Sequence, residues 1–169
     1  MKIKLLLLPA LLVSMSLFGQ NSFEKLEANK EIASTIVSQK MFQMLSKIDS
    51  KDAEAKEFME IANKLKGMKV FTTENPAAAS LIKAEALQYV KTAALTELMR
   101  VKDNAQNVKF YTKGGSNNSD NVQELLMIAE PSESSKQTVL LSLTGDISLS
   151  KLGILTKNMN LPQEVKDIK

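Results

Sequence analysis

The chain has 169 residues, 44% hydrophobic and 24% charged, with a formal charge of +3. It contains no Cys, no His and no Trp. That composition excludes disulfides, thiolate nucleophiles and Cys-based metal sites, and it removes the usual neutral-pH general base and commonest metal ligand.

Residues 1–19 read MKIKLLLLPALLVSMSLFG. Lys2 and Lys4 form a short positive region, Leu5 to Leu17 an apolar one, and Gly19 precedes polar Gln20-Asn21-Ser22. This is the pattern of a secretory signal peptide, with cleavage expected near Gly19-Gln20. The apolar run is short for a membrane span, and no Cys follows it for lipid attachment. The expected product is a single domain, residues 20–169, periplasmic or secreted, with no membrane span. Loss of Lys2 and Lys4 leaves a net charge of +1, and Arg100 is the sole arginine. Nucleic acid is not an expected partner of such a chain.

Ser22 is placed to cap a short helical turn over Phe23–Leu26. β-branched Thr35-Ile36-Val37 favours a strand over Ile32–Ser38, although helical spacing is also partly met there. A helix then runs from Gln39 to about Ile48. Met41 and Met44 share a face with Leu45 and are expected in the core. Ser50 or Asp52 caps a helix over Ala53–Lys66, with Phe58, Ile61, Ala62 and Leu65 on one face and Gly67 as its stop. Met68–Thr73 alternates as a strand. Asn75-Pro76 is a strong helix start, and the following apolar ridge Ile82, Ala86, Val90, Ala94 and Leu98 predicts a helix from Pro76 to about Arg100.

Three β-prone runs within Asn107–Asp146 form the sequence pattern of a meander. Val108 and Phe110 alternate with Lys109 and Tyr111. Val122, Leu126 and Ile128 share a face with Glu124, opposite Leu125, Met127 and Ala129. Val139, Leu141 and Leu143 alternate with Leu140, Ser142 and Thr144. The second and third runs are apolar on both faces and are expected at the sheet centre. Gly114–Asp120 reads as a loop tip and Pro131 opens the second turn. Ser148 or Ser150 caps a last helix carrying Leu149, Leu152, Leu155 and Met159, and the tail from Pro162 is polar. The expected fold class is α+β: about five strands, mixed or antiparallel, with helices packed on one face and at least one crossover.

Candidate chemistry is sparse. Ser-x-x-Lys occurs at Ser22–Lys25, Ser80–Lys83 and Ser148–Lys151, a spacing that lets Lys activate Ser on a helix, but Ser-Asp-Asn and Lys-Thr-Gly partners are missing. Helix caps and solvated lysines account for it. Asn117, Asn118, Ser119 and Asp120 offer oxygen ligands without the calcium-loop spacing, and Lys113-Gly114-Gly115 is only a fragment of a phosphate loop. Glu124, Glu130 and Asp146 are the carboxylates available for acid/base work. Glu124 falls on an apolar face; the simpler expectation is a strand-end residue reaching solvent. Asp146 reads as a turn residue. No catalytic, cofactor-binding or metal-ligating residue is assigned.

The order of several segments resembles the bacterial domain of unknown function 4252. The carrying pieces are the signal peptide, Thr35-Ile36-Val37-Ser38-Gln39-Lys40-Met41-Phe42, Glu97-Leu98-Met99 leading into Val108-Lys109-Phe110-Tyr111, Glu124-Leu125-Leu126-Met127-Ile128, and Leu141-Ser142-Leu143-Thr144-Gly145-Asp146-Ile147. The resemblance implies a small exported α+β protein, a strand at Ile32–Ser38, no assigned catalytic residues and a hint of envelope sensing. The functional expectation is a non-enzymatic binding or sensing module with an envelope protein partner. A small-molecule or lipid carrier, with its pocket between sheet and helix, is the alternative; a carboxylate or Ser/Lys-dependent enzyme is the third.

Overall fold

A computed structural model describes residues 22–47, 51–102, 106–115, 120–132 and 137–151. In chain order the elements are α1 Glu24–Glu27, β1 Ala33–Ser38, α2 Gln39–Leu45, α3 Ala53–Lys64, β2 Leu65–Thr73, α4 Pro76–Thr92, β3 Thr96–Lys102, β4 Gln106–Lys113, β5 Asn121–Pro131 and β6 Thr138–Ser148, ending in a 3₁₀ turn at Leu149–Lys151. The strands form one six-stranded sheet in the order β1-β2-β6-β5-β4-β3. Every neighbouring pair is antiparallel. The meander holds, with β5 and β6 central as their two-sided apolar sequences require.

The sheet separates two apolar layers, and helices cover both faces rather than one. Phe42 of α2 and Ile61 and Ala62 of α3 pack on Met68, Val70, Val108, Phe110, Leu125, Met127, Val139, Leu141 and Leu143. On the other face Leu26 of α1 and Ala78, Ile82 and Ala86 of α4 pack on Phe71, Tyr111, Leu126, Ile128 and Leu140. The two-sided apolar sequences of the central strands β5 and β6 demand this arrangement, because both sets of side chains must leave water. Val122 changes sides relative to expectation and joins Leu125 and Met127. A bulge between Val122 and Glu124 breaks the alternation there.

The sixth strand is β3, which lies where the long helix was expected to continue. Helix α4 starts as expected: Asn75 Oδ1 accepts from the backbone N–H groups of Ala77 and Ala78, with Pro76 in the first turn. It ends at Thr92 because Ala94 turns left-handed, at φ 54°. The Leu95 N–H then reaches Val90 O at 2.9 Å and the Ala94 N–H reaches Lys91 O at 3.3 Å. These are the paired bonds of a Schellman stop, sealed by burial of Leu95. The stop residue is usually glycine; here it is alanine, so the sequence carried no visible punctuation. From β2 the chain crosses one face on α4 to reach β3 at the far edge of the sheet.

Three other boundaries differ. Gly67 does not stop α3; the helix ends at Lys64 and Gly67 lies inside β2, opposite Ser38 and Thr144. Ser22 does not cap α1: Phe23 takes the cap position with φ 77° and no side-chain cap bond forms. Asp146 is not a turn residue, because β6 continues through Gly145 to Ser148. The strand at Ile32–Ser38 is present from Ala33, and α2 follows it directly from an N-cap at Ser38. Residues 1–19, Ile48, residues 116–119, and Leu152, Leu155, Met159 and the tail from Pro162 lie outside the described residues.

Candidate functional site

On the α4 side of the sheet one polar cluster sits within apolar surroundings. Glu124 is 7% exposed, so it does not reach solvent as a strand-end residue would. Its Oε1 accepts a hydrogen bond from the Tyr89 hydroxyl at 2.6 Å. A buried carboxylate requires such a partner, and Tyr89 of α4 supplies it. Burial and then the bond to Glu124 raise the Tyr89 phenol above its ordinary range, while a hydrogen bond with Ser22 works the other way. Phe23 packs on Tyr89 with ring centroids 4.9 Å apart and on Phe71 at 5.7 Å. Lys69 of β2 donates to Ser22 O at 3.0 Å and to Glu27 Oε1 at 2.8 Å. The cluster therefore ties the N-terminal segment, α4, β2 and β5 together.

Chemically this cluster is a clamp. A phenol shifted upward is a weak proton donor and a weaker nucleophile. Sequence reasoning singled out Glu124 but missed Tyr89 and Lys69. Tyr89 precedes Val90 of the apolar ridge, and its hydroxyl was the available signal: a tyrosine beside a buried face needs an acceptor.

The other sequence candidates are dispersed. Lys25 is bound to Glu85 at 2.8 Å, Lys83 to Glu130 at 2.6 Å and Lys151 to Glu57 at 2.9 Å. Ser80 Oγ donates to Pro76 O at 3.0 Å, and Ser148 Oγ donates to Asp120 Oδ2. In all three Ser-x-x-Lys pairs the lysine faces a glutamate on another element. Glu124 and Glu130 lie six residues apart on β5, roughly 20 Å at the rise of an extended strand. Asp146 Oδ1 accepts from Asn121 Nδ2 at 2.7 Å. Thus the three carboxylates are bound by different groups. Asp120 accepts from Ser150 Oγ at 2.7 Å and Ser150 N at 3.0 Å as well as from Ser148; these bonds from Ser148 and Ser150 hold its carboxyl below the usual range. Among the described residues no group of three or more Asp or Glu side chains is arranged to hold a metal ion.

The exposed apolar residues are placed differently from expectation. Met41 and Met44 of α2 are 48% and 59% exposed, while Phe42 between them is fully buried. The helix turns its Phe42 side to the sheet, where the ring joins the buried layer that includes Val70 and Leu141. Ile36 of the adjoining edge strand β1 is 50% exposed. At the opposite edge, β3 exposes Leu98, Met99 and Val101. No helix among the described residues is long and apolar enough to cross a membrane.

A three-layer α+β architecture with one antiparallel sheet is the class these features define. The family model described as "Domain of unknown function (DUF4252)" matches residues 23–155, and the chain belongs to that family. The match begins at Phe23, the first aromatic anchor of the clamp. No curated protein matches the chain. No solved structure matches it either.

Proposed function

We propose that this chain is an exported, non-enzymatic binding module of the cell envelope. The observation that carries the reading is the contrast between its polar and apolar side chains. The groups with catalytic potential are engaged in hydrogen bonds or ion pairs, whereas Ile36, Met41 and Met44 stand in solvent beside one sheet edge. Exposed apolar residues grouped at an edge suit protein recognition, by strand addition in particular. Export is supported by the signal pattern of residues 1–19, upstream of the Ser22–Phe23 anchor.

The carrier alternative requires space between α4 and the sheet. Phe71, Ile82, Leu126, Ile128 and Leu140 fill that layer, each at most 1% exposed, which counts against it. The enzyme alternative requires a free base, and the candidate lysines face glutamates instead. In-cell cross-linking of the exported protein, followed by identification of what is attached, tests the proposal. A defined protein adduct from the envelope fraction is expected. Retention in the cytoplasm, or a hydrolytic activity abolished by Glu124→Gln, would overturn it.

A further inference from the structure

The two edges of the sheet are built differently. Strand β3 carries Glu97, Arg100 and Lys102, and its register is interrupted between Glu97 and Met99. Charges and bulges are the devices that stop an edge from pairing with another chain. Strand β1, Ala-Ser-Thr-Ile-Val-Ser, has no charge, no proline and no glycine. Its register against β2 is unbroken from Ala33 to Ser38. All its residues are exposed except half-buried Val37. A continuous, uncharged, β-prone edge left open to water is a pairing surface.

Deepening the binding reading and resting on it, we infer that β1 pairs antiparallel with β1 of a second copy, joining two sheets across a two-fold axis. Such an axis stands perpendicular to the sheet and keeps each side chain on its own face, so only symmetric registers are allowed. Centring on Ile36 sets Ile36 against Ile36, Thr35 against Val37 and Ser34 against Ser38. Each is a favourable cross-strand pair: aliphatic, β-branched, or hydroxyl with hydroxyl. The flanks are complementary in charge. Exposed Glu31 lies just before β1 and exposed Lys40 just after it, so the antiparallel pairing brings opposite charges to each end of the joint. Met41 and Met44 of α2 expose further apolar surface on the other face, the side of Val37.

The test uses the absence of cysteine in the chain. Directly opposed residues have Cβ atoms about 4.5–5.5 Å apart, and a small shift of the two edge strands brings them to the roughly 3.5–4.5 Å of a disulfide. Protein expressed from the full chain as Ile36→Cys is expected to form a covalent dimer on mild oxidation, while Val101→Cys on β3 does not. Sedimentation of the unmodified protein should show a dimer, and Ile36→Lys should shift it to monomer with an unchanged circular dichroism spectrum. A monomer throughout the micromolar range, or equal cross-linking at both edges, overturns the self-pairing. A monomer whose β1 edge captures a different envelope protein also overturns it, and leaves the binding module reading standing.

Discussion

Gly145 is where the backbone geometry makes its sharpest demand. It pairs with Leu65 at the point where α3 becomes β2, and it has φ 141°, a region closed to residues with a side chain. A Cβ there would stand 2.5 Å from Lys64 O and 2.7 Å from Leu65 Cα. Both are backbone atoms held by neighbouring structure, so no rotamer change relieves the clash. Strain of a forbidden φ costs about 1–3 kcal/mol, and displacing a paired strand adds a similar amount. Gly145→Ala should therefore lose about 2–6 kcal/mol, a large share of the roughly 5–15 kcal/mol of a typical domain. Gly67→Ala is the control: its Cβ would meet the Thr144 hydroxyl at 3.3 Å and Val37 O at an ordinary 3.7 Å. It should cost under about 1 kcal/mol. Urea unfolding midpoints of the two variants and the parent give the comparison. If Gly145→Ala unfolds within about 0.5 kcal/mol of the parent, the close approach of β6 to the α3–β2 junction is wrong.

Other outcomes follow from the same contacts. Ala94→Gly should stabilise by about 0.5–1 kcal/mol, because it relieves a left-handed alanine at the α4 stop; a lowered urea midpoint would count against that stop. Tyr89→Phe keeps the ring stack with Phe23 but removes the donor to Glu124, and should cost about 1–3 kcal/mol by urea titration. The parent should also lose stability in alkali. The folded Tyr89 phenol titrates above its unfolded value, so its contribution is complete below pH about 10 and disappears as pH rises beyond that. Asp120 behaves oppositely: its contribution is present above the ordinary carboxylate range and is lost as pH falls through the depressed folded value, a loss that Asp120→Asn should abolish in acid titrations. Phe42→Ala should cost about 3–5 kcal/mol, while Met41→Gln changes stability by no more than about 0.5 kcal/mol; thermal melts that ranked them equally would refute the orientation of α2.

What was legible in the sequence was local chemistry expressed as a pattern. The Asn75-Pro76 start and the two-sided alternation of β5 and β6 were readable, because cap residues and period-2 burial act within a few residues; the strand before α2 was favoured by Thr35-Ile36-Val37 but left open by partial helical spacing. What was not legible depended on partners far along the chain. Ala94 stops α4 without glycine, since burial of Leu95 favours the turn, so β3 was hidden inside an apparent helical ridge. Met41, Met44 and Phe42 form one apolar cluster in sequence, and only the shape of the sheet beneath decides which of them faces inward. Glu124 was visible as an anomaly, but its meaning lay in Tyr89, 35 positions earlier. The bulge before Glu124 likewise moved Val122 to the other face, which a strict alternation cannot anticipate.

The open β1 edge is the feature on which the functional reading rests, and amide hydrogen exchange measures it directly. The outward-facing amides of Ala33–Ser38, those not bonded to β2, should exchange rapidly at low protein concentration and become protected as concentration rises, while the outward-facing amides of Thr96–Lys102 stay unchanged. Protection of both edges at every concentration, or of neither, would contradict the account.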